Sequence, residues 1–436
     1  MTRKQKTKNI EWLKTPKGTK DILCGDFELY KEVIEKAESI AAYYGFKPIA
    51  TPHIEKEDLF TATLGETSDI IEKQMYALKV RGDDHLVLRP EGTAGIMRAY
   101  FEHGMHTLPQ PIMLYYQGSF FRHEKPQRGR YRELKQFGLE ILGSSEEITD
   151  VIIIRLISVL LQEFGIPYTV NINTLGDRAC APLYKKDLVS FFKKRANYLC
   201  KDCKRRLKTN PLRILDCKEE RCYATREDAP QMINYLCDEC KKHFKNVIEY
   251  LDALGIPYIL DNFLVRGLDY YSRTVFEFFE ETEQNAEEIF SKIAVASGGR
   301  YDYLGETLGN RSVPSVGGAV GLDRIVLSLK EKDVKPQRAR DKKTKIFLIQ
   351  LGDLAKQKSL NLIEDLRKAR IETHYLPSKD NLRNQLKIAS NTKAAITLII
   401  GQKEALENQI IVKNMDKGVQ ELVSADKIID YLKNKI

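Results

Sequence analysis

Two segments concentrate side chains able to bind and turn over a charged substrate. RPEGTAG, Arg89 to Gly95, sets Glu91 and Thr93 at a strand-to-helix junction. A carboxylate and a hydroxyl there can hold an ammonium group beside the free N–H groups of the helix, or simply cap that helix. FRHEKPQRGRYRELKQFGLE, Phe121 to Glu140, is dense in guanidinium groups and broken by Pro126 and Gly129. Arginine grips phosphate or carboxylate through two parallel hydrogen bonds, although an exposed basic hairpin can also be merely solvated. A third constellation is sulfur: six of the eight cysteines fall between Cys200 and Cys240. Cys200-x2-Cys203 and Cys237-x2-Cys240 have zinc-knuckle spacing and are expected to form one closed, structural four-thiolate site. Cys217 and Cys222 are a looser pair that replaces one of these or stays free. Grouping this tight points to metal in a reducing compartment rather than to a scattered disulfide framework.

These groups need a scaffold, and 436 residues with 42% apolar content supply enough for two or three buried cores. Leu29, Val33, Ala37, Ile40 and Ala41 lie at helical spacing, and Gly45 ends that helix before an extended stretch around Pro48 and Pro52. LVL, IMLYY and LKQFGLEIL between Leu86 and Leu142 read as sheet, interrupted by a helix at Thr93 to His103. From 175 to 262 the chain turns helical, Lys-rich and Cys-rich, then VFEFF, ASGGRYDYL and SVGGAVGLDR return to strand character, so the middle block is an insertion within one domain over 1–330. The charged run 331–343 reads as a linker. Alternating strands and helices over 344–436, with a hairpin turn at Asp416-Lys417-Gly418, make a separate α/β domain. Lys and Arg outnumber Asp and Glu by 70 to 61, a charge of +9 that favours a polyanionic partner if it is clustered. No apolar run reaches signal-peptide or membrane-span length, which implies a cytoplasmic setting without a membrane partner.

Taken together, RPEGTAG and RHE-x-PQ-x-GRY resemble the second signature of class II aminoacyl-tRNA synthetases in its histidyl form. LVRGLDYYSRTVFE, Leu264 to Glu277, and SGGRYDYL, Ser297 to Leu304, are similar to the two histidine-specific signatures of the histidyl-tRNA synthetase family. GGAVGLDRIVL, Gly317 to Leu327, resembles the third class II motif, and the helix running to Pro52 the first. The resemblance implies an α+β fold: an antiparallel-sheet catalytic core carrying the helical insertion, followed by an anticodon-binding domain.

It also implies roles. Arg266 and Arg122 would be catalytic, both at the α-phosphate; Arg122, Arg130, Arg324 and Gly321 would bind ATP; Glu91, Gly92, Thr93, Arg122, Gln136, Glu140, Arg266, Tyr270 and Tyr271 would bind histidine. Within that set Glu91 and Thr93 would take the ammonium, and Glu140 and Tyr271 the two imidazole nitrogens. Gln127 and Arg128 would meet the tRNA acceptor end, and Gly298, Gly299, Gly317, Gly318 and Gly321 would let backbone approach the ligands closely. ATP as substrate, Mg²⁺ on its phosphates, a structural Zn²⁺, L-histidine, the histidine tRNA and a second copy of the chain in a homodimer complete the expected partners. The cysteine set departs from the family pattern, as does Tyr303, which stands where the family usually has glycine. The rival reading is a silent relative like the regulatory subunit of ATP phosphoribosyltransferase; intact Arg122, Arg266 and Arg324 and the domain after Thr344 speak against it.

Overall fold

The computed structural model describes residues 13–65, 68, 70–281, 294–336, 346–376 and 381–435. The basic stretch 1–12, most of the expected linker and the middle of the YLPSKDNL stretch lie outside those residues. The chain divides into two compact units, Met1–Val334 and Lys335–Ile436.

The first unit opens with α1 (Cys24–Tyr43), whose buried Leu29, Val33, Ala37 and Ala41 form the stripe that the spacing predicts. Gly45, at φ +89, reverses the chain, a conformation cheap only for glycine. There follow β1 (Lys47–Pro48), β2 (Ile54–Lys56), α2 (Glu57–Leu64), β3 (Tyr76–Leu78), β4 (Leu86–Leu88), α3 (Thr93–Glu102), β5 (Ile112–Phe121), β6 (Glu133–Leu142), α4 (Ile148–Glu163) and β7 (Tyr168–Thr174). Beyond α5 (Ala181–Lys194), α6 (Lys201–Thr209), α7 (Glu220–Arg226) and α8 (Asp238–Ala253) come β8 (Tyr258–Leu260), β9 (Ser272–Glu280), β10 (Ala294–Arg300), α9 (Leu304–Gly309), β11 (Ser315–Gly321) and α10 (Leu322–Glu331).

Eight of these strands form one sheet in the order β1-β5-β6-β11-β10-β9-β7-β8. Its six central strands are antiparallel, and each edge strand, β1 and β8, pairs parallel with its neighbour. One face carries Phe137, Leu139, Ile141, Val316, Val320, Phe276 and Phe278, which pack with Ile153, Ile157 and Leu161 of α4 and with residues of α1 and α10. Each such side chain contributes about 1.5–3 kcal/mol on burial. Of the stretch 175–262, α5 to α7 build a smaller core around Tyr184, Leu188, Phe192 and the cysteines. By contrast α8 sends Phe244, Val247 and Leu251 into the main core.

A buried ionic knot ties these layers. Arg300 is 0% exposed and donates from Nε and Nη2 to Asp150 Oδ1 at 2.9 and 2.6 Å, while His243 Nε2 lies 2.8 Å from Asp150 Oδ2. The remaining guanidinium protons reach the carbonyls of Ser144 and Glu146 and the side chains of Thr149 and Asp302. Burial opposes the charge on Asp150, but Arg300 and His243 overcome it and hold the carboxyl below its usual value.

The second unit holds β12 (Ile346–Gln350), α11 (Asp353–Lys368), β13 (Thr373–Tyr375), α12 (Leu382–Asn391), β14 (Ile396–Ile400), α13 (Gln402–Leu406), β15 (Gln409–Asn414), β16 (Gln420–Ser424) and α14 (Ile428–Lys435). Its sheet runs β13-β12-β14-β15-β16, with the first three parallel. IFLIQ and ITLII are buried at every position, as strands covered on both faces must be. The hairpin turns at Asp416-Lys417-Gly418, where Asn414 accepts the N–H groups of Asp416 and Lys417 and Gly418 takes φ +69.

Replacing Asp150 by alanine leaves the buried Arg300 guanidinium without its counter-charge. Asp150→Ala is expected to cost about 3–5 kcal/mol, read as a lowered midpoint in urea unfolding of the full chain.

Candidate active site

On the other face of the large sheet the residues are small. In antiparallel pairing, residues directly opposite share a face, and positions two apart along a strand return to it. One cross-strand row runs Glu140, Gly317, Gly299; the next runs Gly138, Ala319, Ser297, Glu277; a third sets Gln136 opposite Gly321. The rows stand about 7 Å apart along the strands. This floor is glycine by steric need, because a Cβ at Gly317 would collide with the Glu140 carboxylate and one at Gly138 with the Tyr116 ring. Above it opens a cavity of about 910 Å³, lined by Glu91, Thr93, Tyr116, Arg122, Arg130, Gln136, Glu140, Arg266, Tyr270, Tyr271, Glu277, Tyr301 and Arg324 among others.

The first row ends in a buried carboxyl. Glu140 is 1% exposed and accepts hydroxyl hydrogen bonds from Thr93 at 2.8 Å, Tyr301 at 2.5 Å and Tyr116 at 3.4 Å. Burial pushes it up to about 8; nearby Glu91 adds to the rise, while the three hydroxyls hold it down. Glu91 in turn accepts the N–H groups of Thr93 and Ala94 at 2.6 and 2.9 Å, and Tyr270 OH stands 3.5 Å from it. Glu91 therefore caps α3 and lines the cavity at once, so the two readings of RPEGTAG are not exclusive. The Thr93 hydroxyl is directed to Glu140 rather than held free.

The middle row belongs to Arg266. Its guanidinium pairs with Glu277, donates to Ser297 Oγ at 2.9 Å and lies 5.4 Å from the Tyr271 ring. Burial works against its charge, and Glu277, with Tyr271 and Tyr270, more than restores it. Asn171 and Asn173 of β7 hold the loop that carries it, bonding Asp261 and the Leu264 carbonyl at 3.0 Å each. The third row ends at Arg324, whose Nε donates to the Gly129 carbonyl at 3.1 Å and which also reaches the Ala294 carbonyl. Burial, then Arg130 and Arg122, pull Arg324 down to about 10, which leaves it cationic at neutral pH. Its neighbour Asp323 accepts the Lys135 N–H at 2.7 Å and so fixes the start of α10 on β6. Arg122 donates to the Pro90 carbonyl at 2.8 Å, and Glu124 lies 4.0 and 3.8 Å from Arg122 and Arg130. Arg122 and Arg130 thus share the one carboxylate of Glu124 between them. Arg130 and Arg266 each keep a buried Nε with no hydrogen-bond partner among the described residues.

Gln127 and Arg128 lie apart from this cavity lining, at the turn of the Arg-rich loop, where exposed Arg128 pairs with Glu331. Tyr116, Tyr301, Ser297 and Glu277 were not foreseen. An aromatic pair in a strand resembles core filling, and only the lone acid inside apolar VFEFF gave a signal. Tyr303 has an ordinary helical backbone, φ −101 and ψ −4, so no glycine is required there. Its hydroxyl accepts the Arg178 N–H at 3.2 Å, and the Arg178 guanidinium stacks over its ring.

The expected pairing of the cysteines is corrected. Cys200 and Cys203 do not meet Cys237 and Cys240: they gather with Cys217 and Cys222, all four buried, with sulfurs within 4.8 Å of one another. Cys237 and Cys240 gather instead with Asp177 and Cys180. A Cys-x2-Cys spacing ensures only that its own two sulfurs share a turn. Which other pair they meet is set by how α5 to α8 pack.

The raised Glu140 carboxyl carries a sign for stability. The stabilisation contributed by its neutral form is fully present below the ordinary value of 4.5 and is lost as pH rises through about 8. Without ligand, the melting temperature of the native chain is expected to fall relative to that of Glu140→Gln across that interval and to level off above it.

Known proteins resemble this chain along most of its length. The family model described as histidyl-tRNA synthetase matches residues 18–325, and one described as anticodon binding domain matches 345–435. The histidine–tRNA ligase of Desulforamulus reducens is 38% identical over 421 residues, 96% of this chain and 98% of its own. That of Caldicellulosiruptor saccharolyticus is 39% identical over 425 residues, 97% of this chain and 100% of its own. The crystal structure of apo S. aureus histidyl-tRNA synthetase superposes with a TM-score of 0.78 at 33% identity, covering 96% of this chain and 99% of that one. Matched by the family model over 18–325 and by such relatives along nearly its full length, the chain belongs to the histidyl-tRNA synthetase family.

Proposed function

We propose that the chain is a histidine–tRNA ligase: the histidine carboxylate attacks the α-phosphate of ATP, pyrophosphate leaves, and a terminal ribose hydroxyl of the histidine tRNA then attacks the adenylate carbonyl. The observation that carries this reading is the ruler laid along β6 and β11. A carboxyl sits at one row, the largely buried Arg266 meets the row two residues on, and Arg324 the row two residues further, about 13 Å from the first row to the third. That sequence of charges fits an imidazole, then a carboxylate meeting an α-phosphate, then distal phosphates.

Glu140 retains its proton to about pH 8 and would face an imidazole whose ordinary pKa is about 6.5. The pair then shares one proton, with Tyr271 on the other ring nitrogen. A ligand lacking the ring nitrogens leaves these buried groups unpaired, which supports discrimination of roughly 10⁴ to 10⁵. Glu91, aimed by its two bonds to α3, would take the substrate ammonium, with Thr93, Gln136 and Tyr270 around it and Gly92 giving it room. Arg122 and Arg266 would hold the α-phosphate from two sides and meet the charge that grows as the new bond forms. Arg130 and Arg324 would take the distal phosphates, with the Gly321 backbone beside the nucleotide. Glu124 and Glu277, the carboxylates beside the arginines, would hold Mg²⁺, which would supply further positive charge against the phosphates. Gln127 and Arg128, exposed at the loop tip, would meet the tRNA acceptor end, and the second unit would read the anticodon.

The buried four-thiolate group Cys200, Cys203, Cys217 and Cys222 suits a structural zinc ion. Cys200 and Cys217 sulfurs stand 3.9 Å apart, close to the roughly 3.8 Å expected between thiolates at tetrahedral zinc. Backbone N–H groups of Cys203 and Cys200 already point at the Cys200 and Cys222 sulfurs, at 3.3 and 3.1 Å. A homodimer fits the exposed Phe27 and Tyr43 of α1 and Ile54 of β2. No helix among the described residues is long and apolar enough to cross a membrane. Eight cysteines outside any disulfide favour the reducing cytoplasm as the place of action.

ATP–pyrophosphate exchange with each of the twenty amino acids, without tRNA, is expected to proceed with histidine alone; exchange with none would return the regulatory-subunit reading. Arg266→Gln is expected to lower histidine-dependent exchange by about 10²- to 10³-fold, roughly 3–4 kcal/mol of transition-state stabilisation. Ending the chain after Lys335 is expected to spare exchange while abolishing tRNA charging at ordinary tRNA concentrations, and unchanged charging would overturn the role given to the second unit.

A further inference from the structure

The second sulfur group lies outside the ligand set just described. Asp177 and Cys180 come from the turn between β7 and α5, and Cys237 and Cys240 from the start of α8. Their four ligand atoms lie within 4.8 Å of one another. Cys180 Sγ is 3.3 Å from Asp177 Oδ1, and Cys237 Sγ is 3.8 Å from Asp177 Oδ2. Around a tetrahedral zinc ion, sulfur–oxygen separations of roughly 3.5 Å and sulfur–sulfur separations of roughly 3.8 Å are expected, so the cluster has the size of a filled site.

Three further features suit an ion there. The turn is built around sulfur: the Asp177 N–H points at Cys180 Sγ at 3.2 Å, and Gly176, at φ +64, has a Cβ position only 2.5 Å from that atom. Cys237 stands at the N-cap position of α8, whose amino end favours a thiolate. Arg273 stands 3.6 Å from Asp177 Oδ2 and has a buried Nε with no hydrogen-bond partner among the described residues. Three thiolates and a carboxylate around a divalent ion leave a net charge of about −2, and the guanidinium opposes it.

We propose that Asp177, Cys180, Cys237 and Cys240 bind a second zinc-type ion, distinct from the one proposed at Cys200, Cys203, Cys217 and Cys222. The ion fastens the turn after β7 to the head of α8. That same turn grips the strand below the histidine-binding tyrosines: Arg273, two residues past Tyr271, sits at φ +49 and exchanges 2.7 Å backbone bonds with Leu175 and Gly176. Such a backbone conformation is rare for a residue with a side chain and persists only where its surroundings hold it.

The test is zinc content per chain by mass spectrometry on full-length protein purified under reducing conditions with zinc supplied. Two ions are expected in the native chain, and one in each of Cys217→Ser/Cys222→Ser and Cys237→Ser/Cys240→Ser. One ion in the native chain, kept by the second variant and lost by the first, overturns this site and leaves the four-thiolate reading intact. The reverse pattern supports this site alone, and no zinc at all defeats both. Should the second variant fail to fold, cobalt loading of native protein and of Asp177→Cys decides the matter. Conversion of the oxygen ligand to sulfur is expected to move the visible bands to longer wavelength and to strengthen the thiolate charge-transfer absorption, and identical spectra would overturn the proposal.

Discussion

Everything in the first unit depends on the strict alternation of side chains in β6 and β11. Phe137, Leu139 and Ile141 go down into the core because burial is worth kilocalories apiece, and Gln136, Gly138 and Glu140 are thereby forced up. The same holds for Val316 and Val320 against Gly317, Ala319 and Gly321. Hydrophobic burial, which knows nothing of ligands, therefore spaces the groups above the sheet. The buried Arg300 knot adds to this by fixing β10 to the helix layer at the point where its strand ends.

On that floor the electrostatics are divided. Near Glu140 and Glu91 charge is suppressed: both carboxyls are raised by burial, and hydroxyls surround Glu140. Near Arg122, Arg130 and Arg324 positive charge accumulates, and part of the fall in Arg324 comes from its own neighbours. A site of this kind is unfavourable when empty, and the polyanion that enters it relieves the repulsion. Arg266 stands between the two regions, held by Glu277 and Ser297.

Much of this was legible in the sequence, for physical reasons that also mark where legibility ends. Long periodic elements such as α1, and turns with one favoured residue such as Gly418, declare themselves locally. β1 and β8, of two and three residues, are too short to show any alternation, and their parallel pairing depends on neighbours far along the chain. The arginines and Glu140 could be named from the motifs they sit in. Tyr116 in β5 and Tyr301 just past β10 could not, because a buried tyrosine is ordinary core material until the carboxyl it donates to is known. The cysteines were legible only as alternatives, of which Cys217 and Cys222 replacing Cys237 and Cys240 is the one that meets Cys200 and Cys203: spacing determines pairs, whereas the meeting of pairs is a property of the packed insertion.

The bare floor has a consequence for altering this protein. Where a cavity is bounded by side chains, trimming one enlarges it; at Gly138, Gly317 and Gly299 there is nothing left to trim, so the depth of the trough is a property of the backbone alone. Any redesign toward a bulkier amino acid must work through its walls, Tyr116, Tyr301 and Tyr270, two of which also donate to the carboxyl that any ring nitrogen would need. Enlarging the chamber and keeping its hydrogen bonding are thus competing aims, and the protein can change its amino acid only by replacing several residues together.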